Sequence, residues 1–414
     1  MIHATELLNA SVYDTHGNYM GRVRELCIDP NEQGNRIARL VISRGRFQPL
    51  LVRHDQVASV APSTVRLNVT EQALEPYMPN EAWLAVRKDL LDQQIIDIHG
   101  RKVVRVNDLD LQEVLQDGRM ELRLAQVDVG LAGALRRLLQ GVVSPGWIRT
   151  LQRNLPTRVI PWEFVDVIEP NPLRRVKLRI SHAKLAQLHP ADIADILEEL
   201  APAEREAVME TLDETTAAEA LGELKPQHQM RLLEELDAER AAGILEHMPA
   251  DERADLLAEL PAERISELLQ DMDREPAAET VALLRFEENT AGGLMDPQVF
   301  AAADSSEVRA VLELLREAEV KLDALDTIYL VNEARVLTGA VPIPRLLLAA
   351  AQIPLLALAT DPLVFVDTEA KEHQVIEMFD KYNLRSLPVV DAEQKLVGVI
   401  TADDVITRLW HAHK

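Results

Sequence analysis

From about Ser181 the chain repeats with a period of 24 residues. Leu197, Leu221, Leu245 and Leu269 share one register, Leu200, Leu224, Met248 and Met272 a second, and Leu212, Leu236 and Leu260 a third. The segments DIADILEELAPAEREAVMETL, TTAAEALGELKPQHQMRLLEEL and RAAGILEHMPADERADLLAEL superimpose at that offset. Within each, apolar residues recur at helical spacing. A unit this short cannot bury its own apolar face, so neighbours must stack. Two short helices per unit, separated by Pro202, Pro226 and Pro249, predict an α-helical superhelix of 24-residue repeats in which the leucines form the core.

A second repeat occupies the N-terminal region at an offset of 83. LLNASVYDTHGNYMGRVREL (7–26) aligns without gaps with LLDQQIIDIHGRKVVRVNDL (90–109), and eight of the twenty positions are identical. Each copy reads as a strand, a D-x-H-G turn in which glycine permits a positive φ, and a second strand of alternating apolar residues. The copies end alike, in LLVRHDQVASVAPSTVRLN and RVIPWEFVDVIEPNPLRRVKLRI, which leaves LAGALRRLLQGVV as a helical insertion in the second. His16 and His99 stand at equivalent turn positions with no Cys or second His beside them, and read as turn residues. These units resemble PRC-barrel domains, and the resemblance implies two small β-barrels.

Charge is distributed unevenly. Residues 1–180 hold 24 basic and 21 acidic side chains, 181–300 hold 9 and 29, and 301–414 hold 11 and 18. The helical stretch therefore carries most of the net charge of −24. Such a field disfavours nucleic acid and favours cations or basic partners, with a solvated acidic surface as the alternative. The single Cys27 lies in a predicted strand, can form no intrachain disulfide, and fits a reducing cytoplasm as a buried core residue. The most apolar region, VPIPRLLLAAAQIPLLALA (341–359), is interrupted by Arg345 and three prolines, so no membrane span is expected.

The last segment alternates strand and helix. VRAVLELLREAEV with LDTIYLVNEARVLTGAVPI reads as α-β-β-α, and DPLVFVDTEAKEHQVIEMFDKYNLRSLPVVDAEQKLVGVITADDVITRLW as β-α-β-β-α. Side by side they resemble a tandem CBS (α+β) module, the second copy more clearly. The acidic helical repeat, the junction FEENTAGGLMDP (286–297) and the CBS pair together resemble the cytosolic region of MgtE-type magnesium transporters. The expected organisation is a PRC-barrel-like domain at 1–78, a second at 83–180, an MgtE N-type helical domain at 181–295 and the CBS pair at 296–414.

Asp251 and Asp255 lie four apart in ADERADLL, on one helix face, where two carboxylates repel unless a cation or base intervenes. Hydrated Mg2+ suits such a pair, because it is held by one or two carboxylates and keeps several waters. Arg253 and Arg264 are the alternative source of compensation. The resemblance implies Glu219, Asp251, Asp255 and the backbone carbonyl of Gly292 as magnesium ligands. The chain departs from the family at Asn383 and Thr407, where aspartate is common. Gly292 and Gly293 are read as a hinge between the helical domain and the CBS pair.

GVITADD, Gly398 to Asp404, fits the CBS pattern for adenine nucleotides: Gly398 lets the backbone turn, Thr401 and the helix N-terminus meet a phosphate, and Asp404 accepts ribose hydroxyls. The first copy has Pro342 and Arg345 at the corresponding positions and lacks the ribose contact. No Walker loop, nucleophile elbow or H-E-x-x-H motif occurs, so no enzyme is expected. The sequence thus points to a cytoplasmic, homodimeric regulatory protein that binds Mg2+ and ATP or AMP, dimerises through the CBS pair and docks a partner, such as a membrane transporter, through its barrels. The alternatives are a ligand-independent scaffold and an RNA-associated factor, the latter disfavoured by charge and by the lack of a basic aromatic patch in the sequence.

Overall fold

A computed structural model describes residues 1–412 except 31, 33–34, 117–118, 132, 135–157, 170, 172–181 and 318–324. Most of the predicted helical insertion, and the run 174–180 that ends the second repeat, lie outside the described residues. The chain divides into two compact units, Met1–His228 and Gln229–Lys414.

In the first unit the strands β1 (Ile2–His3), β2 (Ser11–Tyr13), β3 (Tyr19–Ile28), β4 (Ile37–Ser43), β5 (Leu50–Arg53), β6 (Val57–Ala61), β7 (Thr64–Leu67), β8 (Glu75–Pro76) and β9 (Leu84–Ala85) come from the first repeat and the linker after it. Those from the second are β10 (Gln94–Asp97), β11 (Lys102–Arg105), β12 (Asp108–Gln116), β13 (Arg119–Asp128), β14 (Val159–Pro161) and β15 (Val165–Val167). One sheet runs β6-β7-β2-β3-β4-β5-β8, a second β1-β12-β13-β14 and a third β11-β10-β15. The two repeats exchange strands: β1 pairs with β12 of the second repeat, while β9 pairs with β3 of the first. Behind β1 the short helix α1 (Ala4–Leu7) is held to the second repeat by Thr5, whose amide and hydroxyl donate to the fully buried Asp108. Ile2, Leu7, Val23, Leu40, Val65, Ile95, Leu109 and Val127 belong to one apolar cluster, so the two repeats share a core.

The D-x-H-G turns depart from expectation in the second copy. Asp14 Oδ1 accepts from the amides of His16 and Asn18, both at 2.8 Å, and Gly17 takes a φ of +82°. Asp97 likewise accepts from Gly100 N at 2.8 Å, but the positive φ (+49°) falls on Arg101. Gly100 is required for space instead, since a Cβ there would lie 2.3 Å from Asp97 Oδ2. Both histidines are exposed, and the His99 ring packs 5.1 Å from that of Phe164, centroid to centroid.

Cys27 is buried in β3, and burial, with Glu25 nearby, pushes its thiol up to about 12. Since the thiolate is the reactive form, native protein at pH 7.5 is expected to show no reaction with Ellman's reagent until it is unfolded. Full labelling of native protein would place the thiol in solvent.

After the barrels the first unit continues with α2 (Pro190–Glu199), α3 (Pro202–Met209) and α4 (Glu214–Glu223). Proline at the first position of α2 and α3 ends the preceding segment and presets the helical φ. The side chain of Asp213 caps α4 by accepting from Thr216 N at 2.9 Å. Leu197, Leu200, Leu212, Leu221 and Leu224 are all buried.

Helix α5 (Pro226–Glu235) contains the division between the units. In the second unit follow α6 (Ala238–Glu246), α7 (Ala250–Ala258), α8 (Ala262–Asp271), α9 (Arg274–Leu283) and the short α10 (Ala291–Leu294). Leu245, Met248, Leu260 and Met272 are buried as the sequence registers require, whereas at Leu269 the neighbouring Leu268 takes the fully buried place.

The remainder comprises two three-stranded modules. The first is built from β16 (Ala301–Ala303), α11 (Val308–Glu317), β17 (Thr327–Val331), β18 (Leu337–Pro342) and α12 (Ile343–Leu348); the second from β19 (Val366–Asp367), α13 (Glu372–Tyr382), β20 (Ser386–Val390), β21 (Leu396–Thr401) and α14 (Ala402–Ala412). In each, the first strand pairs parallel and the third antiparallel to the second. The first module thus begins with a strand that the α-β-β-α reading missed, because AAA carries no β pattern. Tyr329, Leu337, Val390 and Leu396 form a cluster common to the two modules, and Tyr329 Oη donates to Ser386 Oγ at 2.7 Å.

Candidate cation and nucleotide site

The junction FEENTAGGLM is a packed corner. Thr290 caps α10, its Oγ1 accepting from Gly293 N, while Ala291 N and Gly292 N donate to Ala370 O and Thr368 O of the second module at 2.8 and 2.9 Å. Neither glycine takes a positive φ. A Cβ on Gly292 would stand 2.5 Å from the Phe286 ring, and one on Gly293 2.5 Å from Glu287 O. The glycines are therefore selected by close approach, which corrects the hinge reading. Ala250, Ala254, Ala291, Leu294, Val375, Val389 and Ile400 form one apolar cluster, so α7 and the second module share a core.

Gly398 has the same explanation. It lies within β21, and a Cβ there would stand 2.7 Å from Met295 Sδ and 2.9 Å from Asp296 O. Asp296 and Val399 exchange backbone hydrogen bonds there, which carries the Asp296 side chain up to the N-terminus of α14. The expected turn at Gly398 is not formed.

Around this corner stand Asp251 and Asp255 of α7, Asp404 of α14 and Asp296 of the link between α10 and β16. Asp251 on α7 is buried, and its Oδ1 has no hydrogen-bond partner. Burial first, then the charges of Asp404, Asp296 and Glu252, push its carboxyl well above the usual range. Asp255, one turn on and half-buried, is pushed up to about 6, burial outweighing the lowering effect of Arg408. Asp296 and Asp404 are raised as well, burial being the main cause for both. Asp404 Oδ2 accepts from Thr401 N at 2.7 Å and Thr401 Oγ1 at 2.6 Å, so the two nucleotide-type residues cap α14 together.

Compensation comes from a residue the sequence reading did not single out. Arg408, one turn beyond Asp404, donates through Nη2 to Asp255 Oδ2 at 2.6 Å and through Nη1 to Glu288 Oε1 at 2.9 Å. Arg253 and Arg264 serve other groups. Arg253, 1 % exposed, donates to Thr280 Oγ1, to the carbonyls of Leu245 and Met248 and to Glu279, and Arg264 donates to the carbonyls of Leu233 and Leu236. The signal for Arg408 was its helical spacing from Asp404, but a helix face alone does not disclose which chain segment it meets.

The other expected site residues divide. Gly292 lies in α10 beside this cluster, whereas Glu219 is exposed on α4 in the first unit. Among the described residues no three His, Cys, Asp or Glu side chains converge as a direct metal cage. An uncompensated buried carboxylate facing two others nevertheless fits a cation that retains its waters. In the first module Arg345 donates to the carbonyls of Leu358 and Ala359, so the residue replacing aspartate has a local structural task. Asn383 ends α13 in the left-handed conformation (φ +49°), which asparagine tolerates better than most residues.

Comparison with known proteins agrees with this architecture. Residues 1–74 match the PRC-barrel domain, 188–289 the MgtE intracellular N domain and 356–411 the CBS domain. The chain is thus of a class that joins a PRC-barrel region to an MgtE-type helical domain and a CBS module. Over the latter two it is related to the cytosolic region of MgtE magnesium transporters. It is 35% identical over 125 residues to the magnesium transporter MgtE of Thermus thermophilus, and 25% over 130 residues to that of Bacillus subtilis. Each match takes in 30% of this chain and 28% of the relative. The crystal structure of the cytosolic domain of the Mg2+ channel MgtE in complex with ATP superimposes with a TM-score of 0.52 at 33% identity, over 57% of this chain and 96% of that one. The soluble part of a magnesium transporter gives 0.53 at 21% identity, over 58% and 96%, and shares the fold. Among the described residues no helix is long and apolar enough to cross a membrane.

Proposed function

We propose that this chain is a Mg2+-responsive regulatory protein, responsive also to an adenine nucleotide, ATP or AMP, and not itself a channel or an enzyme. The observation that carries the reading is Asp251, a buried carboxylate with an unpartnered oxygen, set among Asp404 and Asp296. Asp251, Asp255 and Gly292 would meet the cation. Bound Mg2+ would supply the positive charge this corner lacks. Thr401, Asp404 and Gly398 form the nucleotide side, and the ATP complex of the related MgtE domain supports that assignment. The functional boundaries follow the sequence: barrels at 1–78 and 83–180, a superhelix of 24-residue repeats at 181–295 and the CBS pair at 296–414. The CBS pair would form a homodimer, and the barrels would dock a protein partner, such as a transporter regulated in trans in the cytoplasm.

A cation that binds only the closed corner stabilises it by RT ln(1 + [Mg2+]/Kd), about 2.7 kcal/mol at a hundred times Kd. Arg408 favours a second reading, a scaffold closed without ligand, because it already bridges Asp255 and Glu288. Calorimetric titration with Mg2+, ATP and AMP separately, and small-angle scattering in EDTA and in millimolar Mg2+, divide the two. The sensor should release or absorb heat with Mg2+, and Arg408→Ala should enlarge the Mg2+-driven compaction by removing the built-in bridge. No heat with any ligand and superimposable scattering for both proteins would leave the scaffold.

A further inference from the structure

The arginines of the first barrel fall into two groups. Arg36 is held by Glu32 and Glu121, Arg39 by Asp29 and Glu32, and Arg53 by Asp55. Arg22, Arg24, Arg44, Arg46 and Arg66 are exposed, and none forms an ion pair with a carboxylate among the described residues. The pairing registers bring Arg22 and Arg66 to one outer face, while Arg44 and Arg46 stand in the turn that follows β4. Arg66 lies opposite Tyr13, which lies opposite Tyr19; one row along, Thr64, Ser11, Arg22 and Ser43 follow one another across β7, β2, β3 and β4. An irregularity in β3 keeps Tyr19 and Arg22 both outward although they are three apart. Tyr13 and Tyr19 pack edge to face with centroids 5.9 Å apart. Ser43 leads into the turn holding Arg44 and Arg46, and the missing Cβ of Gly21 would come within 3.3 Å of Arg44 Cβ, so the turn abuts this row.

At the same turn a cavity of about 120 Å³ opens, lined by Met20, Ile42, Leu50 and Phe47, with Arg44 and Glu71 among its polar lining residues. Phe47 is 75 % exposed. An exposed Phe47 at a cavity lined by apolar side chains and by Arg44, Gln48 and Glu71, with Arg46 in the same turn, is the composition of a protein docking site rather than of a solvated surface. The cavity decides the partner's class. A lipid headgroup surface or a nucleic-acid backbone would use the charge but leave the cavity unfilled, whereas one large aliphatic or thioether side chain suits its volume. The basic side chains before Lys88 are all arginine, whose planar fork pairs with carboxylates in two parallel hydrogen bonds.

We propose that the Arg44/Arg46 turn of the first barrel, with the adjoining Phe47 cavity and Arg22 beside it, docks an acidic polypeptide segment that inserts one large apolar side chain. This deepens the partner reading given above and rests on it; the Mg2+ reading is independent. The test is selection of random dodecapeptides displayed on phage against the intact protein, with anisotropy titration of the winners. Enriched peptides should carry several Asp or Glu around a single Leu, Met or Phe. Arg44→Glu/Arg46→Glu should weaken them by about tenfold or more and flatten the salt dependence, while Glu71→Lys should tighten them. Both changes are on the surface, and unchanged thermal midpoints will show that the fold is retained. Winners that bind Arg44→Glu/Arg46→Glu equally well would place docking elsewhere on the barrels and overturn this surface alone. No enrichment at all would overturn the partner reading with it. Arginine-dependent binding confined to phosphatidylglycerol vesicles or to an oligouridylate would overturn the polypeptide assignment.

Discussion

Replacing Arg253 by alanine is expected to destabilise the second unit by about 3–5 kcal/mol, the range for removing one member of a buried charged network. The side chain is 1 % exposed and serves several acceptors at once: Thr280 Oγ1 at 2.7 Å, Leu245 O at 3.2 Å, Met248 O at 3.3 Å and Glu279 Oε2 at 3.4 Å. Leu245 O, in the last turn of α6, also accepts from Met248 N at 3.1 Å, whereas Met248 O lies two residues past the helix and depends on the guanidinium. Truncation removes the donor to Met248 O and Thr280 Oγ1 and leaves a void as large as the guanidinium. Arg205 makes the corresponding contacts in the first unit, donating to Leu197 O at 2.9 Å and Leu200 O at 3.1 Å. Arg253→Lys should rescue little, because a single ammonium cannot span acceptors on α6 and α9 together. Urea unfolding monitored by helical signal is the measurement, and a loss of under 1 kcal/mol for Arg253→Ala would show that water replaces the guanidinium.

That arginine also marks where sequence reasoning stopped. The leucine registers were legible, and Leu197, Leu221 and Leu245 are indeed buried, because apolar periodicity is a local consequence of helix geometry. The i,i+4 spacing of Asp251 and Asp255 was equally legible. What could not be read was which of two nearby arginines compensates them, since neither does. Arg253 turns to α9, and Arg408 arrives from over 150 residues further along the chain. The paired glycines failed similarly. Gly292 and Gly293 suggest freedom when only composition is visible, but the Phe286 ring and the Glu287 carbonyl occupy the space their side chains would need. Asp296 was passed over because it stands in an irregular link, and only its backbone pairing with Val399 brings it beside Asp404. The strand exchange between the barrel repeats was invisible too, since an alignment at an offset of 83 is the same whether each copy closes on itself or on its neighbour.

The second large effect is expected at Asp251. Asp251→Asn should raise the stability of the second unit in EDTA by about 1–3 kcal/mol, because a buried carboxylate with an unbonded oxygen among like charges is replaced by a neutral group of the same shape. The same substitution should abolish the added stability that Mg2+ confers on the wild-type protein, so that the ranking of the two proteins reverses as Mg2+ is raised. This crossing separates a ligand-dependent corner from a merely acidic one. A solvated or structurally paired aspartate predicts no gain in EDTA, and a carboxylate with no role in cation binding predicts equal Mg2+ stabilisation in both proteins. Thermal unfolding across a Mg2+ series reads both arms. The midpoint should begin higher for the variant and stay flat, while the wild-type midpoint starts lower and climbs past it. A wild-type protein that is the more stable in EDTA would remove the premise that Asp251 is uncompensated; parallel curves would remove its part in binding.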